Sequence, residues 1–116
     1  TGNIINYTLE KTRRIDTVFS ISYTDDIEKA KSVILKVINS SEKILKDPVP
    51  VIGVKELAAS SVNIESRVWV LTDDLVDMTF FMNEEVKKQF DLNNITIPFP
   101  QMDVNLKKDI SKNINE

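Results

Sequence analysis

The stretch from Val62 to Leu71 alternates more regularly than any other part of the chain. Val62, Ile64, Ser66, Val68 and Val70 fall on one face, and Asn63, Glu65, Arg67, Trp69 and Leu71 on the other. A period of two with one apolar face specifies a half-buried β-strand. Such a strand needs neighbours and a cover, and the rest of the chain supplies both. Ile15 to Tyr23 alternates in the same way, with Ile15, Thr17, Phe19, Ile21 and Tyr23 on one side. Val51 to Leu57 is β-branched and apolar, with Pro50 kept to its start where no ladder donor is needed. A turn at Ala59-Ser60-Ser61 joins it to the Val62 strand as a hairpin.

Between and after these strands the period changes. Ile27, Ala30, Val33, Ile34, Val37 and Ile38 recur at three and four, which predicts a helix with a single buried stripe. Asp25, with Glu28 three residues on, has the spacing of an N-cap with its reciprocal acid. Asp47-Pro48 marks the loop beyond. A second helix carries Leu75, Met78, Met82, Val86 and Phe90, with Asp73 or Asp74 as its cap and Asn93-Asn94 as its end. Ile95-Thr96-Ile97 reads as a fourth strand, halted by Pro98 and Pro100. The order strand-helix-strand-strand-helix-strand predicts an α+β fold of the ferredoxin-like βαββαβ type, an antiparallel sheet with both helices on one face. Trp69 and Leu71, on the other face, are expected to find a neighbour or to sit half exposed.

Composition narrows the chemistry. The 116 residues fit one domain, and 41% apolar content at low Gly is globular composition. The 15 basic residues are scattered among 18 acidic ones for a net charge of −3, so nucleic acid is not an expected partner. There is no His and no Cys, which removes the usual base near neutral pH, thiol nucleophiles and the commonest transition-metal ligands. No apolar run approaches the ~20 residues that span a bilayer, so the chain as it stands reads as water-soluble. It begins at Thr1 without an initiator Met, which predicts a fragment or a processed product.

Three carboxylate clusters invite a metal or acid-base role: Asp25, Asp26 and Glu28; Asp73, Asp74 and Asp77; Glu84 and Glu85. Helix capping and solvated faces account for each, and no calcium-loop spacing occurs. Ser60-Ser61 lacks the adjacent base and oxyanion cradle that a nucleophile requires. The sequons at Asn6, Asn39 and Asn94 matter only in a secreted chain. Only two glycines are present, Gly2 and Gly53, too few for a phosphate-cradling loop. No catalysis, no metal and no cofactor are expected.

Five segments, taken in order, carry a resemblance: Tyr23-Thr24-Asp25-Asp26-Ile27, Ile44-Leu45-Lys46-Asp47-Pro48, Ser60-Ser61-Val62-Asn63, Arg67-Val68-Trp69-Val70 and Ile97-Pro98-Phe99-Pro100-Gln101-Met102-Asp103-Val104. Together they resemble the small-conductance mechanosensitive (MscS-type) channel family, from about Asn3 to Lys107, and the Pro-aromatic-Pro-Gln stretch leading into Met-Asp-Val is the most specific. Two positions depart from the family pattern: Ala58 and Asn94 stand where Gly is expected. The first bears on any positive-φ backbone at that turn, whereas the second is a mild change.

The resemblance implies a bacterial inner-membrane channel of seven identical subunits, opened by tension, whose cytoplasmic ends form a hollow cage. On this reading residues 1–12 are the end of an upstream β domain and its linker, and 13–100 are the ferredoxin-like domain. Residues 101–107 are a strand of a parallel C-terminal barrel, and 108–116 a polar, disordered tail. Met102, Val104 and Leu106 then alternate against Asp103, Asn105 and Lys107, and burying seven carboxylates on a barrel axis is costly, so the apolar set is expected to point inwards. Arg13 and Arg14 line a solute portal, form a solvated linker or make ion pairs between subunits. The expected role is assembly and filtering of ions and small solutes during osmotic release, with membrane contact only through upstream helices. The alternative is a ferredoxin-like module that senses a small molecule at a dimer interface.

Overall fold

The Val62 alternation is realised at the centre of the molecule. In the computed structural model, which describes residues 11–99, strand β3 (Val62–Leu71) lies between β1 (Thr12–Ile21) and β2 (Val51–Leu57) in one antiparallel sheet of order β1-β3-β2. Val62, Ile64, Ser66, Val68 and Val70 are buried, and the residues between them are partly or fully exposed. β1 starts earlier than its alternation suggests and stops before Tyr23. β3 sets both limits, because Leu71 pairs with Thr12 and Val62 with Ile21.

Two helices cover the buried face. Helix α1 (Ile27–Asn39) buries Ala30, Val33, Ile34, Val37 and Ile38. Its N-cap is Asp26, which accepts hydrogen bonds from the backbone N–H groups of Glu28 (2.9 Å) and Lys29 (3.3 Å). This corrects the assignment of the cap to Asp25, whose carboxylate turns back to the Ser22 N–H instead. Helix α2 (Leu75–Leu92) buries Met78, Met82, Val86 and Phe90 and is entered through a 3-10 turn, Thr72–Asp74. Asp74 is the N-cap of α2, one of the two positions the sequence offers, but its side chain makes no capping bond. The tight turn brings the chain into the helix, and the Thr72 N–H is already satisfied by the Lys11 carbonyl at 2.9 Å.

Asn93-Asn94 ends α2 as the sequence implies. Asn94 has φ +59°, the one non-glycine residue in the left-handed region among those described, and the Ile95 N–H then returns to the Phe90 carbonyl at 2.9 Å. No positive φ occurs at Ala58, so the turn there forms without the glycine expected of the family pattern. It closes with the Ala58 N–H on the Ser61 carbonyl at 2.8 Å.

Ile95-Thr96-Ile97 does not become a fourth strand; among the described residues the sheet has three. The segment reaches the open edge of β1, where the Ser22 N–H meets the Thr96 carbonyl at 3.1 Å, and goes no further as a ladder. Two physical causes stop it. The Thr96 N–H is taken by the Asp25 carboxylate at 2.9 Å, and Pro98 has no N–H to give. Beyond the start of β2, Ile44 bridges Val70 and the Leu45 N–H bonds the Trp69 carbonyl at 2.8 Å, so a short buried segment extends that side of β3. The core lies between the helices and the sheet and includes Phe19 and Phe90, whose rings meet edge to face at 6.1 Å.

Candidate functional site

Among the described residues nothing covers the sheet face away from the helices, and its chemistry is set by which strand positions reach it. Successive residues of a strand take opposite faces, so Arg14 and Asp16 of β1 lie on the open side with Glu65, Arg67 and Trp69 of β3, while Arg13 falls on the other side. The sequence pair Arg13-Arg14 is therefore inside β1, with its members on different faces.

Charges on the open face are compensated locally. The Arg14 guanidinium donates to both carboxylate oxygens of Asp16, at 2.8 and 3.0 Å. Glu65, whose side chain is only 13% exposed, accepts from Arg67 Nε at 3.1 Å and lies 3.9 Å from Lys55 Nζ. These pairs hold long side chains in place without leaving a one-signed field, and at exposed positions each contributes less than about 1 kcal/mol. Arg13 makes no ion pair among the described residues. Trp69 and Leu71 are half-buried, as expected for apolar residues on an uncovered face.

At the β2–β3 end, polar side chains stitch the elements together. Asn63 Oδ1 accepts from the hydroxyls of Ser20 (2.7 Å) and Ser61 (2.8 Å), while its amide donates to Glu56 at 3.1 Å. The Tyr23 hydroxyl donates to the Ala58 carbonyl of the same turn. An amide oxygen is no base, so Ser61 is not activated as a nucleophile by this network.

The carboxylate clusters separate into individual duties. Asp26 caps α1, and Asp25 binds the backbone N–H groups of Ser22 and Thr96. Lys43 stands between Asp74 (4.0 Å) and Asp77 (3.9 Å), placing a cation where a metal would have to sit. Glu84 pairs with Lys88 at 3.0 Å, and Glu85 accepts from Gln89 at 3.0 Å. Glu84's hydrogen bond, then its charge, raise the pKa of the exposed Lys88. Among the described residues no three His, Cys, Asp or Glu side chains converge on a metal position.

A cavity of about 260 Å³ lies between α1 and the 44–50 loop. Its lining is apolar apart from Asn39 and Lys46, with Leu35, Ile38, Ile44, Leu45, Val49 and Pro50 forming its walls. Specific small-molecule sites pair such walls with several placed polar groups, which this one lacks.

Comparison with known proteins decides what this architecture is. The family model described as "Mechanosensitive ion channel MscS, C-terminal" matches residues 15–97, which is β1 through the segment after α2. The chain belongs to the MscS family. A small-conductance mechanosensitive channel of Edwardsiella ictaluri is 44% identical over 105 residues, covering 90% of this chain and 37% of that protein. An MscS family protein of Buchnera aphidicola subsp. Baizongia pistaciae is 43% identical over 107 residues, covering 92% of this chain and 38% of that protein. The crystal structure of Helicobacter pylori MscS in its closed state superposes with a TM-score of 0.73 at 35% identity, over 78% of this chain and 36% of that one. The chain thus spans less than two-fifths of the length of these two curated relatives.

Within the MscS pattern, several motif residues have visible work here. Tyr23 and Ser61 fix the hairpin turn, Asp26 starts α1, and Ile44-Leu45 extends the sheet. Sequence reasoning missed the Asn63 network and the Asp25 contact to Thr96. The second was obscured because two adjacent aspartates compete for one cap, and spacing alone does not rank them. Met102, Val104 and Leu106 lie outside the described residues, as do residues 1–10 and the tail.

Proposed function

We propose that this chain serves as the cytoplasmic vestibule portion of a mechanosensitive channel of the bacterial inner membrane, where it contributes to assembly of seven subunits and to filtering of the ions and small solutes that leave on osmotic shock. The observation that carries this reading is the MscS C-terminal match over residues 15–97, which coincides with the folded elements. The role is mechanical and selective, not chemical. Asp25, Asp26, Asp74, Asp77 and Glu84 are engaged with backbone N–H groups or lysines, and no helix among the described residues is long and apolar enough to cross a membrane.

Assembly falls to residues 101–107, with Met102, Val104 and Leu106 facing the axis of a parallel barrel. Of the two arginines, Arg14 is committed to Asp16, so Arg13 is the cation offered to passing solutes. Placing Asp at Val104 in the intact protein tests the barrel. Native mass spectrometry is expected to show loss of heptamers with Val104→Asp and their retention with Asn105→Leu. The opposite pattern reverses the facing, and heptamers that survive both changes remove the barrel from the reading.

A further inference from the structure

Asp25 joins two parts of the chain that lie 71 residues apart in sequence. Its Oδ2 accepts hydrogen bonds from the backbone N–H of Thr96 at 2.9 Å and from that of Ser22 at 3.1 Å. The Ser22 N–H also reaches the Thr96 carbonyl at 3.1 Å, and the Asp25 N–H donates to the Ser22 carbonyl at 3.0 Å. A side-chain carboxylate thus stands where the next rung of a ladder between β1 and the outgoing chain would be. Bonds from N–H groups to an ionised acceptor are stronger than neutral ones, so this single residue replaces more than one ordinary rung.

Ile95 is buried (3% exposed) and anchors the segment, whereas Ile97 is 41% exposed and Pro98 has no N–H. Burial of Ile95 fixes where the chain leaves α2, while the bonds at Thr96 fix the direction it then takes. We propose that Asp25 is a positioning residue that aims the chain leaving the α+β domain towards residues 101–107, coupling the domain to the assembly segment without a fourth strand. This rests on the reading of 101–107 as the assembly strand.

Amide hydrogen exchange by NMR on the 116-residue chain tests the tie. In Asp25→Ala the Thr96 and Ser22 amides are expected to exchange about tenfold faster, as for loss of a hydrogen bond to a charged group, with a smaller change in Asp25→Asn, which keeps an acceptor oxygen. The Val86 and Phe90 amides of α2 should not change. An unaltered Thr96 amide overturns the proposal, and so does equal acceleration at Val86, which would make Asp25 a support of the whole fold. Native mass spectrometry of the intact protein supplies the second arm: Asp25→Ala should lower the heptamer fraction. If Val104→Asp abolishes heptamers while Asp25→Ala leaves them untouched, the positioning role is refuted and the assembly strand stands. If Val104→Asp leaves heptamers intact while Thr96 still loses protection in Asp25→Ala, the assembly reading fails and the tie survives as a local contact.

Discussion

Among the described residues Ser66 is the only buried polar one, and its hydroxyl has no hydrogen-bond partner there. An unsatisfied buried hydroxyl carries its desolvation cost with no return, so Ser66→Ala is expected to raise stability by about 1 kcal/mol, read as a higher urea midpoint at unchanged slope. Gly53 offers a second gain. It lies in β2 without a positive φ, and a Cβ built on it meets nothing within 4 Å, so Gly53→Ala should add about 0.4–1 kcal/mol by restricting the unfolded chain. Asn94 behaves oppositely. Its left-handed backbone excludes a β-branched side chain, and Asn94→Val should cost about 1–2 kcal/mol by thermal unfolding, whereas Asn94→Gly should be tolerated. The Asn94 conformation was legible in the sequence because an Asn pair after a helical stripe has few other uses. The partnerless state of Ser66 was not, since a Ser on the apolar face of a strand is equally compatible with a bonded hydroxyl.

Elements were legible where one period ran long enough to exclude the other. β3 buries all five residues its pattern marks and α1 all but the partly buried Ile27 at its start, because a strand or helix with a single apolar face has one way to sit on a core. Boundaries and short pieces depend on partners, and there the sequence is silent. Ile44-Leu45 joins the sheet only because β3 runs past the start of β2, and Ile95-Thr96-Ile97 fails to join because Asp25 intercepts its donor. Asp26→Ala removes the acceptor for two N–H groups of α1 and should cost about 1 kcal/mol, while Asp25→Ala should leave the helix content by circular dichroism unchanged. On α2 the raised pKa of Lys88 has a definite sign. The Glu84–Lys88 attraction is present below the ordinary lysine range and is lost as pH rises through the raised value, and at a fully exposed site the change in melting temperature should be small.

At the scale of the molecule, the described residues share one core between two helices and one sheet face, and Phe90 is the largest fully buried side chain among them. Phe90→Ala should therefore cost about 3–5 kcal/mol, enough to unfold a marginal domain at ordinary temperature. The strand order has a consequence for how that core comes together. β2 and β3 are joined by a short turn, but β1 reaches its ladder partner only across the whole of α1 and β2. The hairpin closes cheaply and the β1 pairing late, because the longer loop costs more entropy before any contact rewards it. In stopped-flow experiments Ile52→Val is expected chiefly to slow folding, and Phe19→Leu chiefly to speed unfolding. During synthesis β1 leaves the ribosome with its apolar face made and no described strand to pair with until Leu71 has followed. The growing chain thus passes through an interval in which Ile15, Phe19 and Ile21 are open to the wrong neighbour, and a second copy of the chain emerging on the same message offers them a strand of identical pattern.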